Sequence, residues 1–138
     1  MGSVARVATL LIVVVVAACG ESDDAGQSDL PATSVEVTLW PEGRSAGSGQ
    51  RAILTCEPVG GSHPHAQDAC AALESEPDAL EPVAGDVACT QIYGGPEEAR
   101  IAGVVAGNAV DSMFSRANGC EIDRWDRLAP VLDVLPTA

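Results

Sequence analysis

The sequence predicts an α+β domain built on a mainly antiparallel sheet. Three observations carry that expectation. Ser34–Trp40 alternates polar and apolar residues, the period of a half-buried strand. Ala99–Val105 and Ala109–Ser115 are two further strand-like runs, joined at the hairpin-type turn Ala106-Gly107-Asn108. Helical patterns at Pro64–Glu74 and after Asn118 do not alternate with the strands in a βαβ rhythm.

Each element follows from its residues in chain order. Residues 1–18 carry Arg6, no acid, and an apolar run from Leu10 to Ala18, the order of an export signal. That run falls short of the ~20 apolar residues of a membrane-spanning helix. Its end, Val16-Ala17-Ala18-Cys19, resembles the bacterial lipobox. The resemblance implies that the Cys19 sulfur takes a diacylglycerol and that the signal is cut before it. An ordinary signal peptide is the second reading, and it would leave the protein secreted. Residues 19–33 are rich in Gly, Ser, Asp and Gln and poor in bulky apolar side chains, so they read as a flexible, lipidated tether. Residues 34–138 remain for one modest domain. Either way the location is extracytoplasmic, on the cell membrane or released.

Within the domain, Pro41–Gly49 is a Gly/Ser-rich loop, Gln50–Cys56 a second strand, and Pro58-Val59-Gly60-Gly61 its end. Pro64–Glu74 reads as a helix with Pro64 in its first turn, where a missing N–H does no harm. Ala66, Ala69, Cys70 and Leu73 share one face of it. Asn118 is a helix N-cap followed three residues later by Glu121. Asp123 falls early in that helix and Arg124 and Arg127 late, as the helix dipole favours, with Ile122, Trp125 and Leu128 facing inward. The only aromatics are Trp40, Tyr93, Phe114 and Trp125, so the core must be mainly aliphatic and thin. Small exported domains of this kind are commonly stapled by disulfides.

Composition narrows the function classes. The chain has no lysine, and after loss of residues 1–18 it holds 20 acids against six arginines, a formal charge of −14. Such a chain repels nucleic acid and anionic lipid, so no nucleic-acid partner is expected and membrane contact would come only through acyl chains. No nucleophile-elbow, zinc-protease, phosphate-loop or CxxC pattern is present, and an enzyme is not expected. His63 and His65 flank Pro64 near acids, but no third ligand has metal-site spacing. They read as structural, and neither metal nor cofactor is implied.

Five cysteines divide into Cys19 and a set of four, Cys56, Cys70, Cys89 and Cys120. Four cysteines allow three connectivities, and sequence alone leaves all three open. The pattern Leu54-Thr55-Cys56-x-Pro58, Gly60-Gly61-Ser62-His63-Pro64 and Ala69-Cys70-Ala71-Ala72-Leu73 continues with Cys89-x-x-Ile92-Tyr93 and Phe114-Ser115-x-x-Asn118-x-Cys120. Over about Val35 to Glu121 it resembles the Streptomyces subtilisin inhibitor family of serine protease inhibitors. That resemblance implies the neighbour pairing Cys56–Cys70 and Cys89–Cys120. It also implies a five-stranded antiparallel sheet packed with one or two helices, and a homodimer.

The same resemblance places a protease-binding loop after Cys89. Gln91 would enter the primary specificity pocket of a subtilisin-like serine protease, and Gln91–Ile92 would be the reactive bond. Cys89, Thr90 and Tyr93 complete the loop. Thr90 stands where the best-known members have proline, Gln91 where they have a large apolar or basic residue, and Gly94-Gly95 adds a residue before Pro96. A cell-surface lipoprotein that keeps the scaffold for binding or structure, without inhibiting, is the alternative reading.

Overall fold

The computed structural model describes residues 30–136. The expected signal segment 1–18, Cys19 and the tether as far as residue 29 lie outside the described residues. The domain begins with β1 (Thr33–Trp40), whose odd-numbered residues point inward. Val35, Val37 and Leu39 are buried while Ser34 and Glu36 are exposed. The expected alternation is therefore realised. Thr38 is the one even-numbered residue fully covered, at 5% exposure.

β1 is the middle strand. On one side it pairs antiparallel with β2 (Gln50–Cys56), setting Val35 opposite Leu54 and Val37 opposite Ala52. On the other it pairs antiparallel with β4 (Glu98–Val105), setting Val37 opposite Ile101 and Leu39 opposite Ala99. β4 continues into β5 (Asn108–Ser115), which brings Phe114 opposite Ala99. The hairpin turn is one residue tighter than the sequence suggested. Asn108 already pairs with Val105, leaving Ala106 (φ 47°) and Gly107 (φ 80°) as the two turn residues. Positive φ at both positions matches the right-handed twist of the flanking strands. A two-residue strand, β3 (Gly60–Gly61), closes the sheet beyond β2, so the order is β3-β2-β1-β4-β5.

Helices cover one face of this sheet. α1 (Ala66–Ser75) packs on β2, α2 (Gly119–Arg127) on β5, and α3 (Ala129–Leu132) lies against α1, β1 and β4. The largest fully buried side chains are Phe114, Leu54, Ile101, Leu128, Leu132, Val35, Val37 and Val131. The core is thus aliphatic with a single buried aromatic ring. Cys56–Cys70 joins the end of β2 to α1, and Cys89–Cys120 joins an irregular loop to the first turn of α2. The fold is α+β, with a five-stranded antiparallel sheet and the neighbour disulfide pairing.

Two local expectations change. Pro64 stands before α1: His65 is the N-cap, and the helix begins at Ala66. The inward face of α2 is also rotated. Leu128 is fully buried, but Ile122 and Trp125 are only half-buried, and Arg124 is the helix residue that is hidden, at 6% exposure. Its guanidinium lies 4.6 Å from the Phe114 ring centroid. It donates to the Ala79 and Met113 carbonyls at 3.2 and 3.3 Å and pairs with Glu121 at 2.8 Å. A buried cation is tolerable where its donors are met in this way. Arg124 therefore locks α2 to β5 and to the 3-10 turn Pro77–Leu80.

Candidate functional site

Between that turn and β4, residues 81–97 form no helix or strand. The segment runs past the end of the sheet where Glu98 faces Ser115. The Cys56–Cys70 bridge sits at the other end, where Cys56 faces Thr33. Although irregular, the loop is held on both sides of Gln91-Ile92-Tyr93 by one short stretch, Arg116 to Cys120, which leads from β5 into the first turn of α2.

On the first side the hold is covalent and polar together. Cys89 is bonded to Cys120, and the Gly119 N–H donates to the Thr90 carbonyl at 3.0 Å. The Thr90 hydroxyl occupies the space that a Cβ at position 119 would need, so a side chain there would have to turn that hydroxyl aside. Asn118 fixes the same corner by accepting from the Glu121 N–H at 3.1 Å, the N-cap bond expected from the sequence.

On the second side the Gly94 N–H donates to the Arg116 carbonyl at 2.7 Å. Gly94 lies against Ile122 and Arg116, where a Cβ would come within 3.0 and 3.1 Å of them. Gly95, at φ +144°, lies against the carboxylate of Glu97. Glu97 pairs with Arg116 at 3.3 Å. The next residue, Glu98, accepts from the Arg44 N–H at 2.7 Å and from Arg44 Nε at 3.3 Å, tying the start of β4 to the loop after β1.

Between these two sides the residues are presented to solvent. Ile92 is 60% and Tyr93 68% exposed, and Gln91 is exposed with its Nε2 donating to the Cys89 carbonyl at 3.3 Å. Apolar side chains held this far out of the core are available to a partner. Beside Thr90 lies an open depression of about 520 Å³, lined in part by Asp78, Glu81 and Asp123, so this flank of the loop is acidic.

The histidines lie elsewhere, at the start of α1. His63 Nε2 meets the Val131 carbonyl at 2.8 Å, and Nδ1 accepts from the His65 N–H at 3.1 Å. Both ring nitrogens are thus used inside the protein, with the proton on Nε2. Burial pushes the His63 pKa below its usual 6.5, and the neighbouring His65 adds to this against the opposing pull of the Val131 carbonyl and Asp133. His65 pairs with Asp133 at 3.8 Å. The two rings thus join α1 to α3.

A family description, Subtilisin inhibitor-like, matches residues 32–118, which span all five strands, α1 and the whole loop. The chain belongs to the subtilisin inhibitor-like family. It is also 37% identical over 102 residues to Subtilisin inhibitor-like protein 1 of Streptomyces cacaoi, covering 69% of this chain and 92% of that protein. Within this subtilisin inhibitor-like scaffold, Cys89, Thr90, Gln91, Ile92 and Tyr93 lie together on the pinned loop, while His63 and His65 contact Val131 and Asp133 instead. The sequence reading missed Arg116, Glu97 and Gly119. Their parts come from pairing across the loop, and no local periodicity reports that.

Proposed function

We propose that this domain inhibits subtilisin-like serine proteases by offering Gln91–Ile92 as a substrate-like bond. The observation that carries the reading is the exposed Gln91-Ile92-Tyr93 stretch, pinned on both sides to the β5–α2 link. Docking such a loop in a protease's substrate cleft pairs main chain with main chain, as in strand addition. An already ordered loop loses little entropy on docking. After cleavage both new ends stay in place, so religation competes with hydrolysis. Gln91 gives up its weak exposed bond to the Cys89 carbonyl and fills the specificity pocket as a neutral side chain. That chemistry favours subtilisin-like pockets over trypsin, whose pocket calls for a cation.

Titration of the purified domain against subtilisin and trypsin tests the reading. Stoichiometric inhibition of subtilisin is expected, with Gln91→Lys moving the preference toward trypsin. A wild type silent at micromolar concentration, with Gln91→Met and Gln91→Lys also silent, would sink it and leave the non-inhibitory surface protein. The proposal extends to a signal over residues 1–18, a lipid on Cys19, and a tether that keeps the domain at the membrane and ends where β1 begins at Thr33. It further includes a homodimer through the open face of the sheet, where Ile53, Val104 and Met113 are 37–43% exposed. Sedimentation of wild type beside Ile53→Asp checks the dimer, and an unchanged mass would remove that face from it.

A further inference from the structure

The two sides of the loop are not held alike. The side before Gln91 is tied by a disulfide, whereas the side after Ile92 depends on non-covalent contacts and contains Gly94-Gly95, the most freely rotating dipeptide in the loop. If Gln91–Ile92 is cut, the new amino end at Ile92 is restrained only from Gly94 onward. The Gly94–Arg116 hydrogen bond is the first restraint and the Glu97–Arg116 ion pair the second.

That pair is embedded more deeply than an ordinary surface bridge. Its side chains are 29% and 31% exposed, and Glu97 Oε2 and Arg116 Nε are buried with no hydrogen-bond partner among the described residues. The Glu97 carboxylate is wedged against the Cα of Gly95, in space that any side chain there would fill. Arg116 also lines the pocket that receives Gly94. One residue thus supplies the backbone acceptor for Gly94 and the cation for Glu97, on either side of the flexible Gly95.

We propose that Glu97 and Arg116 are a positioning pair that clamps the Gly94-Gly95 side of the loop and retains the Ile92 end after cleavage. The clamp rests on the inhibitory reading only for its consequence in a protease complex, because its grip on the loop exists in the free domain. Loss of the pair leaves Gly94-Gly95 free to open, which converts a resistant loop into a substrate.

The test uses Glu97→Gln, close in shape to the original, with Arg116→Met and the charge-keeping Arg116→Lys. In the free domain, amide exchange at Gly94 should accelerate about tenfold in Glu97→Gln and Arg116→Met. The double variant should be no faster than either single one, and Arg116→Lys should keep part of the protection. Exchange at Val35 and Val37 in the central strand should not change, which separates the clamp from general destabilisation. With subtilisin, Glu97→Gln should bind more weakly than wild type, and its Gln91–Ile92 bond should be hydrolysed about tenfold faster. Gly94 exchange within twofold of wild type in both single variants overturns the proposal. So does a wild type that inhibits beside a Glu97→Gln that is cut no faster. A wild type that does not inhibit, with the exchange effect present, leaves the clamp standing and removes the inhibitory reading instead.

Discussion

Replacing Cys89 and Cys120 together by alanine perturbs stability and the loop at once, whereas replacing Cys56 and Cys70 perturbs stability alone. The bridges close sequence separations of 31 and 14 residues. The loop-closure relation gives about 3.7 kcal/mol for the first and about 3.0 kcal/mol for the second. For a domain of this size the Cys89/Cys120 loss corresponds to about 15–30 °C in Tm. In thermal and urea unfolding the two double variants should therefore be nearly equal. Subtilisin should tell them apart. Without Cys89–Cys120, the side of the loop before Gln91 keeps only the Gly119–Thr90 hydrogen bond. Ordering it again on the enzyme should then take about 3 kcal/mol, which is roughly a hundredfold in affinity. The Cys56/Cys70 variant, altered at the opposite end of the sheet, should bind as wild type does at temperatures where it is folded. Equal affinity for the two variants would refute the argument that pinning underlies inhibition. A Cys89/Cys120 variant destabilised by less than about 1 kcal/mol would refute the entropy estimate.

Three further outcomes follow from the same contacts. Arg124→Met should lose about 3 kcal/mol in urea unfolding, since it strips partners from two carbonyls and from Glu121 in a buried site, and a loss under about 1 kcal/mol would contradict that account. His63 has a lowered folded pKa, so the unfolded chain binds its proton more readily. Its contribution is complete above pH 6.5 and declines as pH falls below 6.5 toward the folded value; Tm measured from pH 7.5 to 4.5 should fall less for His63→Gln than for wild type, and parallel curves would remove His63 as a cause. Cys19→Ala should move the protein from the membrane fraction to the soluble fraction, and unchanged retention would contradict lipidation at that position.

Much of the scaffold could be read along the chain because its signals are local. The alternation in Ser34–Trp40, the bounds of Gln50–Cys56, the turn at Ala106-Gly107 and the Asn118 cap each rest on residues within six positions of one another. The cysteine order and the motifs around it suggested the family, and with it the pairing and the loop. Where local rules misled, tertiary packing had overruled them. Arg124 suits the exposed end of a helix by its charge, yet it is buried because Phe114, Ala79, Met113 and Glu121 happen to surround it.

Other features belong to contacts between distant residues, which no window of sequence contains. β1 became the middle strand because segments on both sides of it in space, Gln50–Cys56 and Glu98–Val105, carry inward faces that match its own. Gly94-Gly95, read along the chain, signals looseness. In the fold it is flanked by Ile122, Arg116 and Glu97, and glycine is what lets those groups come so close. Composition and spacing were enough to expect a stapled α+β domain, and the family resemblance implied a protease-directed loop after Cys89. Which groups hold that loop was decided only when the β5–α2 link was brought beneath it.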